Sequence, residues 1–123
     1  IAHAFVGSRQ QAQQAIDLGL KLGFGGAMTF GRATRLRALA QSLPMDAIVL
    51  ETDAPDIPPH WLYVTAKERQ TGAEMVCNSA VGLRRSGCTL AALRGMTPDA
   101  VRAVTTANAQ AALPKLALLT ATG

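Results

Sequence analysis

Two carboxylates one residue apart, Glu51 and Asp53, close an apolar run over Ala47–Leu50. Side chains alternate along an extended chain, so Val49, Glu51 and Asp53 share one face while Ile48, Leu50 and Thr52 share the other. A carboxylate at a strand end can hold a divalent cation, or accept a proton from water that such a cation has acidified. It can equally cap the turn ahead of Pro55. Glu51, one layer deeper, needs a cationic or hydrogen-bonding partner that the sequence does not name. His3 stands near the end of another apolar run, Ile1 to Val6, where the small neighbours Ala2 and Ala4 leave an imidazole room to reach a metal. A structural hydrogen bond is the other role open to a lone histidine. Gly23, Gly25 and Gly26 permit close approach of backbone to a ligand, or a tight turn. Their spacing is not the G-x-G-x-x-G of dinucleotide sites.

Positioning these groups requires strands that end side by side, and the chain order supplies them. Ile1 to Val6 reads as a strand closed by Gly7, after which Ser8 caps a helix with Ala12, Ala15 and Ile16 on one face and Gly19 at its end. Leu20 to Phe24 reads as a second strand, with Ala27 to Phe30 as a loop or strand extension. A basic amphipathic helix follows from about Arg32 to Leu43, its buried stripe formed by Leu36, Leu39, Ala40 and Leu43, and Pro44 stops it. Ala47 to Glu51 is the third strand. Alternating strands and helices joined by short connections imply right-handed crossovers and a parallel sheet, hence α/β architecture. A long loop then runs from Asp53 through Trp61 and Tyr63 to about Glu74. Ala80 to Leu93 is a poor helix on propensity because of Gly82 and Gly87, each unfavourable by about 1 kcal/mol against Ala. The last helix is better built, with Thr97 as cap, Pro98 at its first position and Asp99 in its first turn.

The chain has 123 residues, with 12 Lys plus Arg against 8 Asp plus Glu and a net charge of +4. This suits one globular unit or a piece of a larger one, and permits phosphate-bearing partners. Arg32, Arg35 and Arg37 form the one local basic cluster, as expected of a solvated helix face. Cys77 and Cys88 match neither a disulfide framework nor zinc-ligand spacing, so reduced thiols in the cytoplasm are expected. No apolar run approaches the ~20 residues of a membrane span. Three strands would leave both edges of a parallel sheet unpaired, so either an upstream segment closes a barrel, which is the expectation, or the piece self-associates.

Taken together, His3-Ala4-Phe5-Val6-Gly7-Ser8, Gly23-Phe24-Gly25-Gly26 and Leu50-Glu51-Thr52-Asp53-Ala54-Pro55-Asp56 resemble the TatD-type deoxyribonuclease family. Leu93 to Pro98 and Thr105 to Ala109 are similar to that family's closing helices. The resemblance implies a (β/α)₈ TIM barrel, of which residues 1–123 supply strands six to eight and their helices, the N-terminal half being absent. It implies that His3 and Asp53 bind divalent metal, with Asp53 also the catalytic general base. His60 and Asn78 are weaker candidates for substrate contact. Two ions of Zn, Mn or Mg per intact site are implied, together with 3′-to-5′ hydrolysis of DNA ends by a cytoplasmic monomer. The remaining ligands would come from the absent half, so residues 1–123 alone are expected to be inactive. Relatives that deacylate D-aminoacyl-tRNA, or a non-catalytic half-barrel, are the alternatives. The sequence departs from the family in Ser79-Ala80 after Asn78, and in Gly31 before Arg32. The aromatics of the His60, Trp61 and Tyr63 loop suit either base stacking or a lid packed on itself.

Overall fold

In the computed structural model, which describes residues 1–74 and 77–121, Ser8 starts the first helix as its chemistry requires. Its side chain accepts from the Gln11 amide while the Gln11 side chain accepts from the Ser8 amide, a reciprocal cap that opens α1 (Arg9–Asp17). The chain leaves α1 through Gly19 at φ +81°, a left-handed conformation open to glycine. It then enters β1 (Leu22–Phe24), which pairs in parallel with β2 (Ile48–Leu50) in the register Leu22–Ile48, Gly23–Val49 and Phe24–Leu50. Between them lie a 3₁₀ turn (Gly26–Thr29), α2 (Thr34–Ser42) and a second 3₁₀ turn (Met45–Ala47). The crossover and parallel pairing follow the sequence reading.

The first expected strand is reduced to one parallel bridge, Ala2 with Leu22. The Ala2 amide donates to the Lys21 carbonyl and the Ala2 carbonyl accepts from the Gly23 amide, but Ala4 takes φ +48° and the pairing does not extend into a strand. His3 therefore sits on a turn rather than within a strand. Strand order at this end of the molecule is the Ala2 segment, β1, then β2. Among the described residues nothing pairs with the far edge of β2.

Helices cover one side of this short sheet. After the loop come α3 (Ala66–Gln70), a 3₁₀ turn (Ala80–Gly82), α4 (Leu83–Arg94), α5 (Pro98–Ala112) and α6 (Pro114–Ala121). Leu22, Phe24, Met28, Ile48, Leu90 and Val101 are fully buried where α2, α4 and α5 meet β1 and β2. Each such side chain contributes about 1.5–3 kcal/mol through burial. Gly87, a weakness on propensity, has a packing role: a Cβ there would lie 3.3 Å from Leu50, so glycine lets α4 approach β2 closely. Buried Asn108 extends from α5 and donates to the carbonyls of Met45 and Ile48 at 2.7 Å each, tying that helix to the start of β2. The Arg94 guanidinium donates to the carbonyls of Ala40, Gln41 and Leu43, closing the end of α2. Two helices, α3 and α6, were not expected from the sequence. The first had a readable start, because Thr65 and Glu68 cap it reciprocally. Among the described residues no helix is long and apolar enough to cross a membrane.

Candidate metal centre

His3, Glu51 and Asp53 converge where the Ala2 segment and β2 end. They are the group of three metal-ligating residue types found among the described residues, with one ligand atom from each lying within 4.8 Å of the others. The histidine ring is held between the two acids. Its Nδ1 donates to Glu51 Oε2 at 2.9 Å, and its Nε2 lies 2.9 Å from Asp53 Oδ1. The imidazole is largely open to solvent, whereas the carboxylates of Glu51 and Asp53 are 15% and 7% exposed. The hydrogen bond to Glu51, then the charges of Glu51 and Asp53, raise the His3 pKa above its ordinary value.

Glu51 has the partners that sequence reasoning could not name. Besides His3, it accepts from the backbone amide of Ala4, whose left-handed turn aims that N–H at the carboxylate. The glycines in and just after β1 make room for this acid. A Cβ on Gly23 would fall 2.3 Å from Glu51 Oε2, and one on Gly25 would fall 2.5 Å from the Glu51 carbonyl oxygen. Close approach to a ligand or a tight turn had been the two readings of these glycines; the neighbour they admit is Glu51 itself. Gly26 similarly admits the backbone of Pro59, 2.9 Å from where its Cβ would stand. Only the sheet register exposes the pairing, because Gly23 and Glu51 lie far apart in sequence.

Asp53 carries φ +56°, a conformation that Asp adopts more readily than most residues. The turn swings its carboxylate toward His3. Oδ1 is buried beside Nε2, which pairs with it when the ring is protonated. With the Nδ1 proton directed at Glu51, a neutral His3 offers its Nε2 lone pair on the side of this oxygen, where the two can share a cation; a protonated ring instead pairs with both carboxylates. Bonds of about 2.1 Å to one ion leave neighbouring N and O ligands about 3 Å apart, so the separation suits a shared divalent cation. Glu51 then orients the histidine, an arrangement common behind metal-bound imidazoles. The residues present fit a metal.

The two weaker candidates separate. Asn78 is buried, and its Nδ2 lies within hydrogen-bonding reach of the Thr52, Asp56 and Ile57 carbonyls while its Oδ1 accepts from Ser79. Its amide thus secures the loop that starts at Asp53 and does not face outward. His60 is exposed, its backbone N–H bonded to Thr29 Oγ1 and its ring set edge-on against Phe30 and Trp61. An open groove of about 650 Å³ lies elsewhere, between α4 and α5, lined by Leu50, Val81, Leu83, Arg84, Arg102 and Thr105 among others. It contains none of the three converging residues.

The family model for TatD-related DNases matches residues 1–114. The chain belongs to that family. A crystal structure of YjjV, a TatD homologue from Escherichia coli K12, superposes with a TM-score of 0.74 at 32% identity, over 89% of this chain and 38% of that one. An uncharacterised metal-dependent hydrolase of Haemophilus influenzae is 50% identical over 58 residues, or 47% of this chain and 22% of that protein. The 3′-5′ ssDNA/RNA exonuclease TatD of Salmonella typhimurium is 34% identical over 111 residues, covering 89% of this chain and 40% of the exonuclease. The chain thus spans less than half the length of these relatives. Metal-dependent hydrolase chemistry is the family's common description, and the TatD-like fold agrees with the α/β expectation.

Proposed function

We infer that the complete protein is a divalent-metal-dependent phosphodiester hydrolase that removes nucleotides from the 3′ ends of single-stranded nucleic acid. Residues 1–123 form the C-terminal part of its (β/α)₈ barrel, strands six to eight. The carrying observation is the convergence of His3, Glu51 and Asp53, with the buried Asp53 Oδ1 lying 2.9 Å from His3 Nε2. Exonuclease names among the relatives support the substrate class. The free edge of β2 and the groove beside Leu50 support a place for further strands and helices.

In this reading, His3 Nε2 and Asp53 would hold one ion, and the absent half supplies the remaining ligands, including those for a second. When bound, the divalent cation supplies positive charge that polarises a phosphoryl oxygen and acidifies water. Asp53 holds the proton that the attacking water loses, at a carboxylate shielded from bulk solvent. Glu51 keeps the His3 ring oriented by accepting from Nδ1. Exposed, unpaired Cys77 and Cys88 suit a cytoplasmic monomer.

Asp53→Ala in the full-length protein should abolish metal-dependent release of nucleotides from a 3′-ended oligonucleotide, whereas His3→Ala should leave a measurable remnant. Residues 1–123 alone should release none. Full activity of Asp53→Ala would remove the basis of the proposal.

A further inference from the structure

Beyond the three converging residues, the loop after β2 carries an aromatic and cationic cluster whose members are not equivalent. Trp61 is partly buried and fully engaged: the Arg85 guanidinium lies 4.2 Å from its ring centroid, the His60 ring meets it at 5.4 Å, and Gly82 stands close beside it. It anchors the loop. Tyr63 differs, being 41% exposed. It meets Phe30 nearly perpendicularly, with centroids 5.5 Å apart and planes at 84°. Arg32 places its guanidinium 5.2 Å from the Phe30 ring and 5.7 Å from that of Tyr63, spanning both.

This cluster is supported by rigid structure at the ends of both strands. Phe30 ends the 3₁₀ turn that follows β1. Tyr63 is reached through a backbone fixed by His60 N–H to Thr29 Oγ1, by the Leu62 and Tyr63 amides to Pro59 and His60, and by the packing of Pro59 on Gly26. The same loop begins at Asp53, and Asn78 secures its first half. The sequence segments that carry it hold basic but no acidic residues. No acidic residue stands between Asp17 and Asp46, the segment that carries Arg32, Arg35 and Arg37, or between Asp56 and Glu68, the segment that carries Tyr63.

We propose that Phe30, Arg32 and Tyr63 form a base-stacking step for single-stranded nucleic acid on the segments that follow β1 and β2, the latter beginning at Asp53. The proposal rests on the nuclease reading and deepens it. Tyr63 supplies the exposed ring face, Phe30 holds that ring upright by its edge contact, and Arg32 supplies positive charge for the adjoining phosphate or a planar surface for a second base. A surface of this composition accepts any base, since each has a π-face, and its arginine suits the phosphate backbone. A lid closed on its own aromatics would instead hold Tyr63 as Trp61 is held, half-buried between Arg85 and His60.

The test measures binding of a fluorescein-labelled oligothymidylate, and of an abasic strand of equal length, to the full-length protein by anisotropy without metal. Cleavage of the same oligothymidylate is followed separately with Mn²⁺. Tyr63→Ala should weaken oligothymidylate binding at least about fivefold, as loss of one stacked base does, and leave abasic binding unchanged. Tyr63→Phe should bind like wild type, and Arg32→Gln should weaken both strands. Circular dichroism identifies any variant that misfolds, and Arg32→Gln, a surface change, then carries the comparison. Equal oligothymidylate affinity of Tyr63→Ala and wild type, with wild-type cleavage intact, overturns the stacking step and leaves the nuclease reading standing. A wild-type protein that neither binds nor cleaves the oligonucleotide overturns both.

Discussion

Replacing Gly23 by Ala tests how the site is held together without touching any group that would meet a metal. The added methyl would stand 2.3 Å from Glu51 Oε2, 2.5 Å from its Cδ and 2.8 Å from Oε1. Ordinary contact needs about 3.5 Å, so the carboxylate must retreat by about 1 Å. A free glutamate would swing aside at little cost, but this one accepts from both the Ala4 amide and His3 Nδ1. Retreat breaks both bonds. Losing the bond from the Ala4 amide to a charged acceptor costs about 1.5–3 kcal/mol, which urea denaturation of the full-length protein would register. Freeing His3 from its orienting acid should lower metal affinity about 10- to 100-fold, the usual effect of removing such a partner. Calorimetric titration with Mn²⁺ or Zn²⁺ measures this. Gly31→Ala is the control, because a Cβ there meets nothing within 4 Å. The Gly23→Ala and Glu51→Gln variants should each lose affinity, and the double variant little more than either. Wild-type metal affinity in Gly23→Ala would refute the role assigned to Glu51.

The apo site should also respond to pH. Glu51 and Asp53 raise the His3 pKa above its unfolded value, so the stability from this pairing is fully present below the unfolded pKa and lost as pH rises through the folded one. An NMR titration of the His3 ring should show that raised value, and Glu51→Gln should bring it down. Metal binding should run the other way, weakening as pH falls through the same range because the proton competes for Nε2. Away from the site, Asn108→Ala should destabilise the protein by about 2–4 kcal/mol, since the carbonyls of Met45 and Ile48 lose their side-chain donor. Thermal denaturation of the full-length variant checks this, and an unchanged midpoint would contradict it.

Much of this protein was legible in the order of its residues because the deciding forces were local. Ser8, Gly19, Pro44, Thr97 and Pro98 delimit helices through caps and backbone restrictions that act over a few residues, and each does so in the structure. The Glu-Thr-Asp-Ala-Pro stretch and the histidine near the N-terminus marked the family for the same reason: the motif is contiguous. What lay beyond reach depended on separated segments meeting. The first strand shrank to a bridge because Ala4 turns left-handed to offer its amide to Glu51, an acid 47 residues away. The sequence offers Asn78 as a contact for substrate, and only the fold shows its buried Nδ2 bonded to the Asp56 carbonyl. Gly23 and Glu51 each had an open role in isolation, and one parallel register resolved both, because a side chain can occupy only the space its neighbouring strand leaves free. Sequence determined which groups could do chemistry. Tertiary structure alone decided that His3 would stand between two carboxylates, one at each ring nitrogen, since only folding brings those charges within 3 Å of the ring.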